Sequence, residues 1–244
     1  MALHRIALPG RSLEEGTPIV IEDEEAHHAA RVKRLDVGDP VQVLDCAGGI
    51  ARCVITRREK ASRRGGWILE VVPEQVQRVP AIVPHIEVFS EPPKGHELER
   101  MVDQLSQLGA ASWSPLACHR SEIEPRSGKL HRLSRIAVEA SKQSGRAWAM
   151  QIGRRASFAE ACSAPADTRV VVCHMSGQRF VGDASQRVRL LVGPVGDLTE
   201  GELHAAQDHG ATIASFGPLT MRIETACSCA CAIVMDSQRA PPPT

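Results

Sequence analysis

The sequence predicts an α/β protein in two parts, a small β-rich barrel followed by a domain in which strands alternate with helices. Three observations carry this expectation. Short strand-like runs separated by glycine turns continue as far as Val72. The segment Pro73 to Pro84 holds three prolines and reads as a linker. Beyond it, apolar runs alternate with amphipathic helix patterns, the signature of an α/β layer. A chain of 244 residues has room for two unequal domains.

In the first part, Glu24 to Lys33 is the one helical candidate. The strand candidates are Val41 to Leu44, Ile50 to Thr56 and Trp67 to Val72, with turns at Gly38-Asp39, Ala47-Gly48-Gly49 and Gly65-Gly66. About five short strands in this space suggest a small barrel.

The second part opens with the strand Ile86 to Phe89 and the turn Pro92-Pro93-Lys94-Gly95. A helix follows with Leu98, Met101, Val102, Leu105 and Leu108 on one face and Gly109 at its end. Leu130, Leu133, Ile136, Ala137 and Ala140 mark a helix from about Leu130 to Gln143. Buried strands are expected at Arg169 to Cys173 and Val188 to Val192. Thr199 with Glu202 forms a capping box opening a helix that Gly210 closes. A strand at Ala211 to Ser215 and a helix from about Glu224 to Asp236 complete the domain, ahead of a frayed proline-ended tail.

Composition narrows the function classes. With 43% hydrophobic and 24% charged residues the chain reads as a soluble globular protein. Its longest late apolar run, Ala226 to Met235, is interrupted by Ser228 and is about half a membrane span. The N-terminus lacks a basic start followed by a long apolar stretch, so no secretory signal and a cytoplasmic location are expected. The eight cysteines include no C-x-x-C pair and are read as reduced, buried small side chains, with no metal expected. His27 and His28, adjacent on a helix, point about 100° apart and make a poor ligand pair.

Lysine and arginine balance aspartate and glutamate at 29 each, so any nucleic-acid partner must be met by local charge. Arg52, Arg57, Arg58, Lys60, Arg63 and Arg64 face only Glu59 in one stretch. Arg120, Arg126, Lys129, Arg132, Arg135, Lys142 and Arg146 outnumber Glu122, Glu124 and Glu139 in another. Each alone reads as a solvated face; one in each part of the chain suggests a phosphate track.

The chain lacks G-x-G-x-x-G after a strand, a Walker A loop, G-x-S-x-G and H-E-x-x-H. What it has instead is two glycine-proline turns, each following an apolar strand and preceding a helix. Leu190-Leu191-Val192 runs into Gly193-Pro194-Val195-Gly196-Asp197, and Ile213-Ala214-Ser215 runs into Phe216-Gly217-Pro218-Leu219. Backbone amides and helix N-termini converge at the carboxyl ends of such strands, where open α/β sheets bind ligands.

These residues resemble the RsmE family of SPOUT-class methyltransferases. The resemblance rests on Leu190 to Pro194 with Thr199 to Leu203, and on Phe216-Gly217-Pro218-x-x-x-Arg222-x-Glu224-Thr225-Ala226. Upstream it includes Pro93-Lys94-Gly95, Leu108-Gly109, Pro115-Leu116, Arg120-Ser121 and Glu139 to Arg146, and in the first part His27 to Leu35 with Val37-Gly38-Asp39.

The resemblance implies an N-terminal PUA-like β-barrel over residues 1–76 for RNA, and a SPOUT α/β domain over residues 77–240. That domain is expected to carry a C-terminal deep trefoil knot over about residues 170–236. The implied protein is a homodimer that uses S-adenosyl-L-methionine to methylate N3 of a uridine in 16S ribosomal RNA, as free RNA or in the assembled small subunit. The implied cofactor residues are Val172, His174, Leu191, Gly193, Pro194, Gly196, Phe216, Gly217, Pro218, Met221, Glu224 and Thr225, with Cys173 beside them. Arg31, Arg34, Lys94, Gln143 and Ser144 are the implied RNA contacts.

N3 lies on the pairing edge of uracil, so the base must be unpaired or turned out of its stack. Its proton must leave, and the charge growing on the ring needs a donor or cation. Arg222, Arg146 and Arg120 are the candidates for that stabilisation.

Family members carry G-P-E-G-G where this chain has Val195 and Asp197, and arginine and leucine where it has Leu219 and Thr220. Asp197 and Thr220 are expected to replace part of the missing polar contact. The alternatives are a methyltransferase of another RNA on the same scaffold, or an RNA-binding or ribosome-assembly protein with weakened catalysis.

Overall fold

The structure, a computed structural model, describes residues 3–61, 66–121 and 125–237. Arg63, Arg64 and Gly65, Glu122 and Glu124, and the proline-ended tail lie outside the described residues. The chain divides into two compact units, Met1–Ala81 with Ser141–Ala149, and Ile82–Ala140 with Met150–Thr244.

The first unit is built on five strands: β1 (His4–Ala7), β2 (Ile19–Ile21), β3 (Pro40–Leu44), β4 (Gly49–Lys60) and β5 (Trp67–Arg78). Their order is β1-β3-β4-β5-β2, with β1 parallel to β3 and the other pairs antiparallel. Among the described residues the ladder runs from β1 to β2 without closing. The helical candidate near Glu24 is α1 (Asp23–His27), continued by a π-helical turn over His28–Val32. Inward-facing Ile6, Ile21, Val41, Val43, Ala51, Cys53, Ile55, Leu69 and Val71 pack with Ala26, Ala29 and Ala30 of the helical turn into one core. Each buried Val, Leu or Ile there contributes roughly 1.5–3 kcal/mol.

The proline stretch differs from expectation. β5 runs through Pro73 to Arg78, so the first half of the supposed linker is strand and the boundary expected at residue 76 falls inside β5. Pro73 is tolerated because it pairs with Cys53 where the β4–β5 register shifts, a position that asks for no ladder donor.

The second unit holds β6 (His85–Ser90), α2 (Glu97–Leu108), β7 (Ser112–Ala117), α3 (Ser127–Ser144), β8 (Gln151–Ile152), β9 (Ala156–Ser157) and α4 (Phe158–Cys162). It continues with β10 (Arg169–Arg179), β11 (Arg187–Val192), α5 (Glu200–Asp208), β12 (Thr212–Ser215) and α6 (Ile223–Ser237). The last turn of α3, from Ser141, belongs to the first unit. The sheet is parallel in the order β12-β10-β11-β6-β7-β8, with β9 also paired to β7.

Strand alternation sorts this core into two layers. Val171, Val188, Leu190 and Val192 face Leu98, Met101, Leu105, Leu133, Ala137, Cys227, Cys231 and Val234 of α2, α3 and α6. Val170, Val172 and Leu191 face Phe158, Ala161, Leu198 and Ala206, on the side of α4 and α5. Cys227 and Cys231 are core residues, and burial pushes the Cys227 thiol up to about 12. Gly109 caps α2 with φ 98°, and Thr199 and Glu202 complete the capping box of α5. A second capping box, Ser157 with Glu160 on α4, was equally readable from the sequence. No described helix is long and apolar enough to cross a membrane.

Candidate functional site

The sheet order places β10 between the two strands that end in glycine-proline turns, β11 and β12. In the parallel registers Cys173 of β10 stands opposite Val192 of β11 and Ala214 of β12, so the carboxyl ends of β11 and β12 lie level with the break in the β10 ladder. The loops that follow are 193–199, leading to α5, and 216–222, leading to α6. Parallel strands of this kind direct their following loops and helix N-termini toward the same edge.

Of the expected cofactor residues, Val172 and Leu191 are fully buried in the core layer on the side of α4 and α5. Gly193, Pro194 and Gly196 lie in the first loop, and Phe216, Gly217, Pro218 and Met221 in the second. Glu224 and Thr225 occupy the first turn of α6. A Cβ on Gly193 would meet Leu198 Cγ at 2.8 Å, so the tight first turn requires glycine. Gly196 has φ 101°, and among the described residues a Cβ there would meet nothing within 4 Å while one on Gly217 would meet only Met221 Cε at 3.7 Å. Both therefore leave bare backbone for a ligand to approach. Phe216 is anchored by stacking on Phe180, 5.0 Å between centroids.

His174 lies just beyond the paired part of β10. The ladder to β12 breaks at Cys173 and resumes at Gln178, so residues 174–177 bulge out of it. Gly177 is required there, because a Cβ would sit 2.5 Å from the Ile213 carbonyl oxygen. His174 Nε2 is 2.9 Å from Asp197 Oδ2, and its Nδ1 is 2.7 Å from Ser176 Oγ. Asp197 Oδ1 accepts from the Leu198 amide at 2.9 Å, so this carboxylate is spent within the site wall. Thr220 is exposed. Ser176, not singled out in the sequence, is the residue missed; its signal was a His-x-Ser spacing at a strand end.

The three arginine candidates divide. Arg120, on the loop after β7, donates to the Gly196 carbonyl and so braces the first loop. Arg222 is exposed, and among the described residues its guanidinium makes no hydrogen bond or ion pair, with Glu224 or any other group. Arg146 is half-buried within Ser141–Ala149, the segment of the first unit.

Among the expected RNA contacts, Arg31 and Arg34 are exposed on and just after the π-helical turn, Arg34 with φ 58°. The Gln143 carbonyl accepts from Arg5, and Ser144 Oγ donates to the Ser141 carbonyl at the end of α3. Lys94 lines an open cavity of about 790 Å³ together with Arg126, Lys129 and Arg132. Glu99 pairs with both Lys129 and Arg132, and the hydrogen bond from Lys129 holds its carboxyl below the usual carboxylate range. In the first basic stretch Arg52 pairs with Glu74, Arg57 with Glu59 and Glu70, and Arg58 with Asp36. Arg58 and Lys60 also lie over the Trp67 ring.

Residues 81–235 match the RNA methyltransferase domain, and residues 21–62 match the RNA methyltransferase PUA domain. The chain is 27% identical over 235 residues to ribosomal RNA small subunit methyltransferase E of Synechocystis, covering 93% of this chain and 75% of that one. Its counterpart in Bacillus subtilis is 26% identical over 242 residues, covering 93% of each. Among solved structures, a methyltransferase of Legionella pneumophila with bound SAM superposes with a TM-score of 0.81 at 20% identity, covering 97% of this chain and 98% of that one. Ribosomal RNA small subunit methyltransferase E of Neisseria gonorrhoeae, bound to S-adenosyl methionine, gives 0.82 at 20% identity, covering 96% and 98%. These two likenesses show the fold.

Proposed function

The chain belongs to the RNA methyltransferase family, and from that premise we propose that it methylates N3 of a uridine in 16S ribosomal RNA of the small ribosomal subunit, with S-adenosylmethionine as methyl donor. One observation carries the reading: two glycine-proline loops at the carboxyl ends of β11 and β12, on either side of β10. The backbone at Gly196 and Gly217, where an added Cβ would meet little among the described residues, supports close approach of a ligand.

Gly193, Pro194, Gly196, Phe216, Gly217, Pro218 and Met221 would hold the cofactor from the two loops, and Val172 and Leu191 would form its floor. Glu224 and Thr225 would meet it from α6. S-adenosylmethionine supplies an electrophilic methyl group on a sulfonium. The chain's own residues align uracil and exclude competing geometry, which supplies much of the rate. Arg222, with no competing ion pair among the described residues, faces the charge that grows on the ring as N3 loses its proton. Arg120 holds the first loop in place.

In this reading the PUA-like unit binds RNA through Arg31 and Arg34, Gln143 and Ser144 contribute from the end of α3, and Lys94 with Arg126 offers phosphate contacts in the cavity beside α2 and α3. We also propose that about residues 170–236 form a deep trefoil knot and that the protein works as a cytoplasmic homodimer. A second reading, an RNA-binding or assembly protein of weakened catalysis, is favoured by Val195 and Leu219. These side chains are 83% and 73% exposed where the family carries glutamate and arginine.

Calorimetry with S-adenosylmethionine, followed by methyl transfer to small-subunit RNA, naked and as assembled particle, tests the proposal. Saturable binding and label incorporation are expected. RNA binding without cofactor binding would favour the second reading.

A further inference from the structure

The contacts of His174 exceed what a cofactor wall needs. The Ser176 backbone amide donates to His174 Nδ1 at 3.2 Å, which makes that nitrogen an acceptor and leaves the ring proton on Nε2. Nε2 then donates to Asp197 Oδ2 at 2.9 Å, while the Ser176 hydroxyl, 2.7 Å from Nδ1, donates to the same lone pair. The order hydroxyl, imidazole, carboxylate is that of a proton relay, in which the carboxylate fixes the tautomer and stabilises the imidazolium.

The arrangement joins separate parts of the fold. His174 and Ser176 lie in the bulge of β10, and Asp197 lies in the loop after β11. Asp197 holds φ 69°, a left-handed conformation that aspartate and asparagine tolerate better than other side chains, and its Oδ1 is fixed on the Leu198 amide. The imidazole is largely enclosed, at 13% side-chain exposure, whereas Ser176 is exposed. The chain thus buries the basic nitrogen and presents the hydroxyl outward.

We propose that Ser176, His174 and Asp197 form the proton acceptor for uracil N3, an inference that rests on the methyl-transfer reading above. In the step, the N3 proton passes to Ser176 Oγ as the hydroxyl's own proton passes to His174 Nδ1. The N3 electron pair forms the new N–CH3 bond. The C–S bond of the sulfonium donor breaks with its pair retained by sulfur. The imidazolium, paired with Asp197, returns its proton to water. The charged group in contact with the imidazole is Asp197.

The test compares the full-length parent with His174→Gln and Asp197→Asn on small-subunit RNA containing uridine or 5-fluorouridine, whose N3 proton is more acidic. Cofactor affinity is measured separately by calorimetry, and the His174 tautomer by nitrogen NMR. The proposal expects Nε2–H in the parent, and a kcat reduced about 10²-fold in His174→Gln with cofactor affinity within about twofold. It also expects recovery of most of the deficit on 5-fluorouridine RNA or at alkaline pH. Asp197→Asn, which keeps the backbone conformation, should show the same pattern more weakly. Equal deficits on both RNAs, or a loss confined to cofactor affinity, would overturn the relay. A parent that modifies RNA at another atom would instead overturn the uridine N3 reading itself.

Discussion

The guanidinium of Arg120 donates to the carbonyl of Gly196, linking the loop after β7 to the turn that follows β11. Arg120, read from the sequence as a stabiliser of reacting charge, is bonded here to the loop proposed to hold the cofactor. A charge-assisted hydrogen bond of this kind contributes about 1.5 kcal/mol, equivalent to about tenfold in affinity. Arg120→Ala should therefore weaken S-adenosylmethionine binding about tenfold by calorimetry, with kcat at saturating cofactor changed less than threefold by the same estimate. A kcat loss with unchanged affinity would return Arg120 to the chemistry.

Arg222 should behave in the opposite way. It is exposed at the entrance to α6 and has no ion-pair partner among the described residues. Arg222→Ala is expected to lower kcat roughly 10²-fold, the usual cost of removing one donor to a developing anion. Cofactor affinity and thermal stability should stay near the parent's, which melting curves and calorimetry would check.

His4 gives the first unit an acid-sensitive element. Burial lowers its pKa from 6.5 to about 4, helped by His28, Lys142 and Lys33, and its buried Nε2 has no hydrogen-bond partner among the described residues. Because the folded value lies below the unfolded one, the neutral ring's stabilisation is complete above about 6.5 and is lost as pH falls toward 4. The parent's Tm should drop across that window more steeply than that of His4→Phe, which keeps an aromatic ring and removes the titration. Parallel curves would show that the acid response lies elsewhere.

What could be read beforehand follows from how local each signal is. The apolar face of α2 with Gly109, and the Thr199–Glu202 box of α5, are local patterns, and both elements stand where the residues put them. The two glycine-proline turns were legible because strand, turn and helix are adjacent in sequence. β1 and β2, of four and three residues, are too short for an alternation to register. β5 crosses Pro73 only because β4 offers a register shift opposite it, which no local pattern reveals. Ser141–Ala149 joins the first unit although the helical periodicity of α3 runs unbroken through Ser144, since that membership is decided by tertiary contacts such as Arg5 with the Lys142 carbonyl.

The site divides in the same way. Gly193, Gly196 and Gly217 declared themselves through backbone need, whereas the partner of His174 depends on a bulge in β10 and on the fold of a loop 23 residues further along. Asp197, expected to replace a missing cofactor contact, directs one oxygen to His174 and the other to the Leu198 amide.

The most direct test of the whole account is the identity of the methylated nucleoside. Small-subunit RNA incubated with the purified protein and isotopically labelled S-adenosylmethionine would be digested and resolved by mass spectrometry against nucleoside standards. The account predicts label in 3-methyluridine at a single site in 16S ribosomal RNA. Label in a ribose methyl, in another base or at another uridine atom, or no transfer to naked RNA or assembled particle by a protein that binds the cofactor, would contradict it.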